Sequence, residues 1–124
     1  MAKNLIGFFY IALTIFFTVY GQLILKWRMA MKGAMPEAIS EKITYFIKVF
    51  FDFWIISGFA AAFLASIAWM ATLTKFELSF AYPFMSLSFV IVFFLSIVFF
   101  HEVITWQKIA GLVLIISGLI VMTR

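Results

Sequence analysis

Thr14, Thr18, Gln22 and Lys26 recur at every fourth position of an otherwise apolar stretch. On a helix this spacing makes a slowly twisting polar stripe, and it climbs to a basic edge at Lys26 and Arg28. The threonine hydroxyls can bond back to carbonyls of their own helix, and Lys26 can snorkel to a membrane edge. Gln22 is more demanding, because an amide in hydrocarbon needs partners; these come from another helix or from a bound ligand. Lys26 offers a point charge and Arg28 a planar fork of donors, a pair suited to a mobile anion such as a lipid phosphate. The link holding His101 and Glu102 falls on the same side, so Glu102 is expected to pair with these cations when the site is empty, with His101 modulating them.

Ser79, Tyr82, Pro83 and Ser86 form a second small polar face in a Phe-rich stretch. Pro83 withdraws a backbone donor and frees a carbonyl upstream, which either lines a cavity, as broken helices do in transporters, or bends the helix around a neighbour. Trp69 reads as a packing or interfacial aromatic. Gly111 and Gly118, flanked by Ala110 and Ser117, make a smooth strip that lets helices approach closely, and we read it as a dimer contact, with packing inside the protomer as the alternative.

What is missing also narrows the chemistry. There is no cysteine and one histidine, and the chain has no metal-ligand cluster, no nucleophile-base-acid set and no glycine-rich phosphate loop. The expectation is a protein that is not an enzyme and uses no cofactor or metal. A proton-coupled antiporter commonly relies on a buried carboxylate, and the nearest acids, Asp52, Glu77 and Glu102, all fall at the ends of apolar runs.

The elements that must position these residues follow from composition. The 124 residues are 67% hydrophobic and 11% charged, whereas soluble domains carry about 25% charged residues. The expected fold class is all-α: an integral membrane bundle of four transmembrane helices forming a single domain over 1–124, with spans near 5–25, 53–73, 78–100 and 106–122. Each span consumes about 20 residues, which leaves too little chain for a soluble catalytic domain. The first apolar run lacks the small residues of a cleavage site at its end, so it reads as a retained helix.

An amphipathic segment, 37–52, lies between the first two spans within a charged loop expected from Lys26 to Asp52. Pro36-Glu37 is a helix-start signal. Ile39, Ile43, Phe46, Ile47 and Phe50 then share one face and Glu41, Thr44, Lys48 and Asp52 the other, the pattern of a helix on a membrane surface that could run on into the second span as one bent element. The short links Thr74 to Glu77 and His101 to Thr105 require antiparallel neighbours. The formal net charge of +4 comes from basic residues flanking the spans, which points to anionic lipid headgroups and not to nucleic acid. Lys3, Lys75 and Arg124 sit on the terminal side, against Lys26, Arg28, Lys32, Lys42, Lys48 and Lys108 on the other, a bias that places the termini outside the cytoplasm.

Gly21-Gln22-Leu23 with Lys26, Ala81-Tyr82-Pro83 followed by Ser86-Leu87-Ser88-Phe89-Val90, His101-Glu102, and the stretch from Gly111 to Gly118 together resemble the four-span members of the drug/metabolite transporter superfamily, which includes EamA-like and small multidrug resistance proteins. The likeness is strongest to bacterial flippase subunits for undecaprenyl-phosphate-linked aminoarabinose. It implies a four-helix protomer in the bacterial inner membrane, working as a homodimer or as a heterodimer with a related small subunit. It also implies a polyprenyl-phosphate-linked monosaccharide as substrate, moved for envelope modification such as that of lipopolysaccharide. The phosphate would then lie at Lys26 and Arg28 and the sugar in a crevice of Thr18, Gln22, Tyr82 and Ser86. The small multidrug resistance relatives carry a membrane-embedded glutamate in the first helix, where this chain has no acid and has Gln22 nearby. The longer amphipathic segment is a departure from the flippase pattern. The alternative reading is a proton-coupled exporter of cationic compounds titrating Glu77 or Glu102; a third is a membrane subunit that only scaffolds a glycosyltransferase.

Overall fold

A computed structural model describes the backbone of residues 2–124 and the side chains of residues 5–124. All regular structure among them is helical: α1 (Ala2–Lys32), α2 (Ile39–Phe50), α3 (Phe53–Leu73), α4 (Leu78–Phe84), α5 (Ser86–Phe100) and α6 (Trp106–Met122).

The first helix extends beyond residue 25, where the first span was expected to end. The residues after Leu25 are mostly good helix formers with no breaker among them, so α1 continues to Lys32 and ends where Gly33 adopts φ 82°, a left-handed stop that only glycine takes freely. Lys26 and Arg28 therefore sit on a helix and not in a loop. The amphipathic helix starts at Ile39, after Pro36 and Glu37. It does not run into α3 as one bent element: Asp52 is extended (φ −71°, ψ 128°), and its carboxylate accepts the Trp54 N–H at 2.9 Å, capping α3. An N-cap needs non-helical backbone, so the cap itself forces the break. The third apolar run is divided at Met85, because Pro83 has no N–H to return to the preceding turn. The Ser86 and Ser88 hydroxyls donate to the Pro83 and Met85 carbonyls at 2.6 and 2.5 Å. His101, with φ 54°, turns the chain out of α5.

The tightest packing joins α1 to α3, with α5 next against α1. Gly58, Ala61, Ala65, Ala68 and Thr72 are buried along α3, and at spacings of three and four they make a narrow face that admits α1 closely. Ile11, Ile15 and Val19 of α1 form the buried core, covered by Phe76, Phe84, Met85 and Leu95 among others. The large side chains point outward: Phe63 and Phe99 are 66% and 63% exposed, an arrangement suited to lipid and not to water. Leu5–Lys32, Phe53–Leu73 and Leu78–Phe100 are long and apolar enough to cross a membrane, and Trp106–Met122 is a shorter apolar helix of 17 residues.

Candidate functional site

A groove of about 440 Å³ runs between α1, α3 and the start of the third apolar run, lined by Thr14, Thr18, Gln22, Ser66, Trp69 and Tyr82 among others. The polar stripe of α1 thus faces a cleft. Thr14 is buried and donates to the Tyr10 carbonyl at 2.8 Å, so its hydroxyl is satisfied within its own helix. Gln22 is exposed and lines the cleft, leaving its amide available for a ligand. Trp69 packs edge-on to Tyr82 with ring centroids 5.9 Å apart, and both residues line the cleft.

One turn beyond the Leu25 end of the cleft lies the basic cluster. Arg28 donates from Nη2 and Nε to Asp52 Oδ2 at 2.7 and 3.1 Å, and Lys32 Nζ lies 2.8 Å from the same oxygen. The Asp52 side chain is only 5% exposed. The Lys32 ammonium and then the Arg28 guanidinium hold its carboxyl well below the usual carboxylate range. Trp27 contributes a ring 5.0 Å from the Arg28 guanidinium carbon and packs 5.5 Å from Trp54, so a cation-π contact and an interfacial tryptophan pair flank the ion cluster.

The expectation that Glu102 pairs with Arg28 is corrected: Asp52 takes that position. Antiparallel α1 and α3, in close contact, bring the last turns of one to the N-terminus of the other. Glu102 instead lines a separate groove of about 380 Å³ between α5 and α6, beside Lys108 and Gly111, where Lys108 Nζ donates to the Val103 carbonyl at 2.9 Å. His101 is exposed and ends α5. Lys26 is exposed and has no ion pair among the described residues. Ser86 is not in the Gln22 cleft; it lines a neighbouring groove with Ser79, Leu114 and Gly118, and Tyr82 borders both. A Cβ on Gly111 or Gly118 would meet nothing within 4 Å, so the smooth strip of α6 is open within the protomer.

Sequence reasoning missed Asp52, Lys32, Ser66 and Gly58. Asp52 immediately before an apolar helical run is an N-cap signal, and the small residues of α3 recur at helical spacing; both signals were present.

Three apolar helices long enough to cross a membrane, with a cleft between them that carries a polar stripe and a cation cluster beyond its end, describe a multi-pass membrane protein. The EamA-like transporter family profile matches residues 23–124, and the chain belongs to that family. It is 33% identical over 104 residues, 80% of each chain, to the probable 4-amino-4-deoxy-L-arabinose-phosphoundecaprenol flippase subunit ArnF of Erwinia tasmaniensis. The proteins of the same name from Proteus mirabilis and Photorhabdus laumondii are 36% identical over 63 residues and 35% over 72. Those two matches cover 49% and 56% of this chain and 47% and 57% of the relatives. No solved structure matches the chain.

Proposed function

We propose that this protein is a flippase subunit that moves a polyprenyl-phosphate-linked monosaccharide, aminoarabinose-like, between leaflets of the bacterial inner membrane for envelope modification, and that it is not an enzyme. The observation that carries the reading is the cleft on α1: Thr18, Gln22 and Tyr82 line it, and Arg28 follows one turn beyond its end. In this mechanism Lys26 and Arg28 hold the lipid phosphate through charge-assisted hydrogen bonds. Thr18, Gln22 and Tyr82 take the sugar hydroxyls, Ser86 extends the polar surface past Tyr82, and the prenyl tail stays in the bilayer against the outward Phe side chains.

The single domain 1–124 carries four spans, α6 being the fourth. Its 17 residues rise about 25 Å, enough to cross a locally thinned bilayer with Trp106 at one interface and Arg124 beyond the helix at the other. The exposed Ile39, Ile43 and Ile47 of α2 rest on the membrane surface. The open α6 strip at Gly111 and Gly118 meets a second copy or a related small subunit. Reconstitution into vesicles with the substrate lipid tests the proposal. Transport that falls in both Lys26→Ala and Arg28→Ala is expected, and unchanged transport in both removes the phosphate site. Protection against quaternary ammonium compounds that depends on pH would replace it with cation export.

A further inference from the structure

We propose that Lys32 joins Lys26 and Arg28 at the lipid-phosphate site and that Asp52 is an internal competitor for the Arg28 and Lys32 donors, weakening the grip enough for the lipid to leave; this rests on the flippase reading and deepens it. Asp52 Oδ2 accepts from Arg28 Nη2 at 2.7 Å and from its Nε at 3.1 Å, with Lys32 Nζ 2.8 Å away. Three donors on one oxygen leave Oδ1 to the Trp54 amide at 2.9 Å. The carboxylate is 5% exposed while the Arg28 and Lys32 side chains are 20% and 31% exposed, so an anion can reach the cations more readily than water reaches Asp52.

A polyprenyl phosphate, with or without its sugar, presents at least two terminal oxygens that share negative charge, as a carboxylate does. Lysine carries three donors and arginine five, enough to pass from one acceptor to the other without either cation being left bare. Asp52 keeps the Trp54 amide throughout, so α3 stays capped while the donors change partner. A carrier must bind well enough to load and weakly enough to unload, and a fixed carboxylate beside the site supplies that balance. Lys32, on the last turn of α1, is thereby a phosphate ligand, a role the sequence had not given it.

The test is native mass spectrometry of the full chain in detergent with undecaprenyl phosphate, phosphatidylglycerol and inorganic phosphate as competing probes. Asp52→Asn retains an N-cap acceptor and removes the competing charge; it should bind undecaprenyl phosphate about tenfold more tightly, as loss of a charge-assisted competitor predicts. Lys32→Gln, which keeps a side-chain donor for Asp52 at a more exposed position, should bind about tenfold more weakly. If Asp52→Asn binds no better and Lys32→Gln binds normally while Arg28→Gln loses the lipid, this inference falls and the flippase reading stands. No retention of undecaprenyl phosphate by the native chain overturns both. Equal displacement by inorganic phosphate or phosphatidylglycerol makes the cluster a general anion site and overturns the assignment to the polyprenyl lipid.

Discussion

Gly21 and Gly58 meet where α1 packs on α3: a Cβ on Gly21 would lie 3.2 Å from the Gly58 carbonyl oxygen, and one on Gly58 would lie 3.6 Å from the Gly21 carbonyl oxygen. The contact is backbone to backbone, and it sets how closely the two helices that carry the cleft and the basic cluster can approach. Gly21→Leu should destabilise the protein by about 1–3 kcal/mol through overpacking, lowering its thermal midpoint in detergent. Gly58→Ala meets only ordinary contacts, at 3.5 Å and beyond, and adds helix propensity, so its midpoint should equal or exceed that of the native chain. Equal losses in the two variants would contradict this asymmetry.

Asp52 links stability to pH. Its folded pKa is depressed by Lys32 and Arg28, below an unfolded value of about 3.9. The ion cluster therefore contributes fully above that value and loses its contribution as pH falls through it toward the folded pKa. The gap in thermal midpoint between the native chain and Asp52→Ala should be the same at pH 8 and pH 6 and should narrow below about pH 4. A gap that closes between pH 8 and pH 6 would assign the effect to another group.

Gln22 lines the cleft, and the cation cluster proposed to hold the phosphate lies beyond its end. Gln22→Leu should therefore reduce transport of the glycosylated lipid by about 2- to 10-fold, the worth of one or two ligand hydrogen bonds. Binding of undecaprenyl phosphate, which has no sugar, should be nearly unchanged. Parallel loss of both would mean that the variant disturbs the helix and not the sugar contact.

Gly118 has open space where a side chain would go, so Gly118→Leu should leave helicity and the protomer fold intact by circular dichroism. At the proposed subunit contact the added bulk separates the helices, and crosslinking yield between subunits should fall several-fold. An unchanged yield would place the contact elsewhere.

Composition and apolar run length determined the class of this protein: apolar helices of membrane-crossing length. Local sequence determined more than that. The boundaries of α3 and α6 follow from Asp52 and Thr105 at their caps, and Pro83 marks the place where the third run divides. The four-residue spacing of Thr14, Thr18 and Gln22 already defined one face of α1, because helical periodicity is a local property of the chain.

Which face meets which was decided only by tertiary structure. The small residues of α3 let α1 come close, and that contact delivers Arg28 and Lys32 to Asp52, some twenty residues further along the chain, in place of Glu102. The same packing puts Trp69 and Tyr82 opposite the threonine stripe and leaves Ser86 in the next groove. Pairing of charges and walling of a cleft depend on distances between helices, and no spacing along one helix encodes a distance to another.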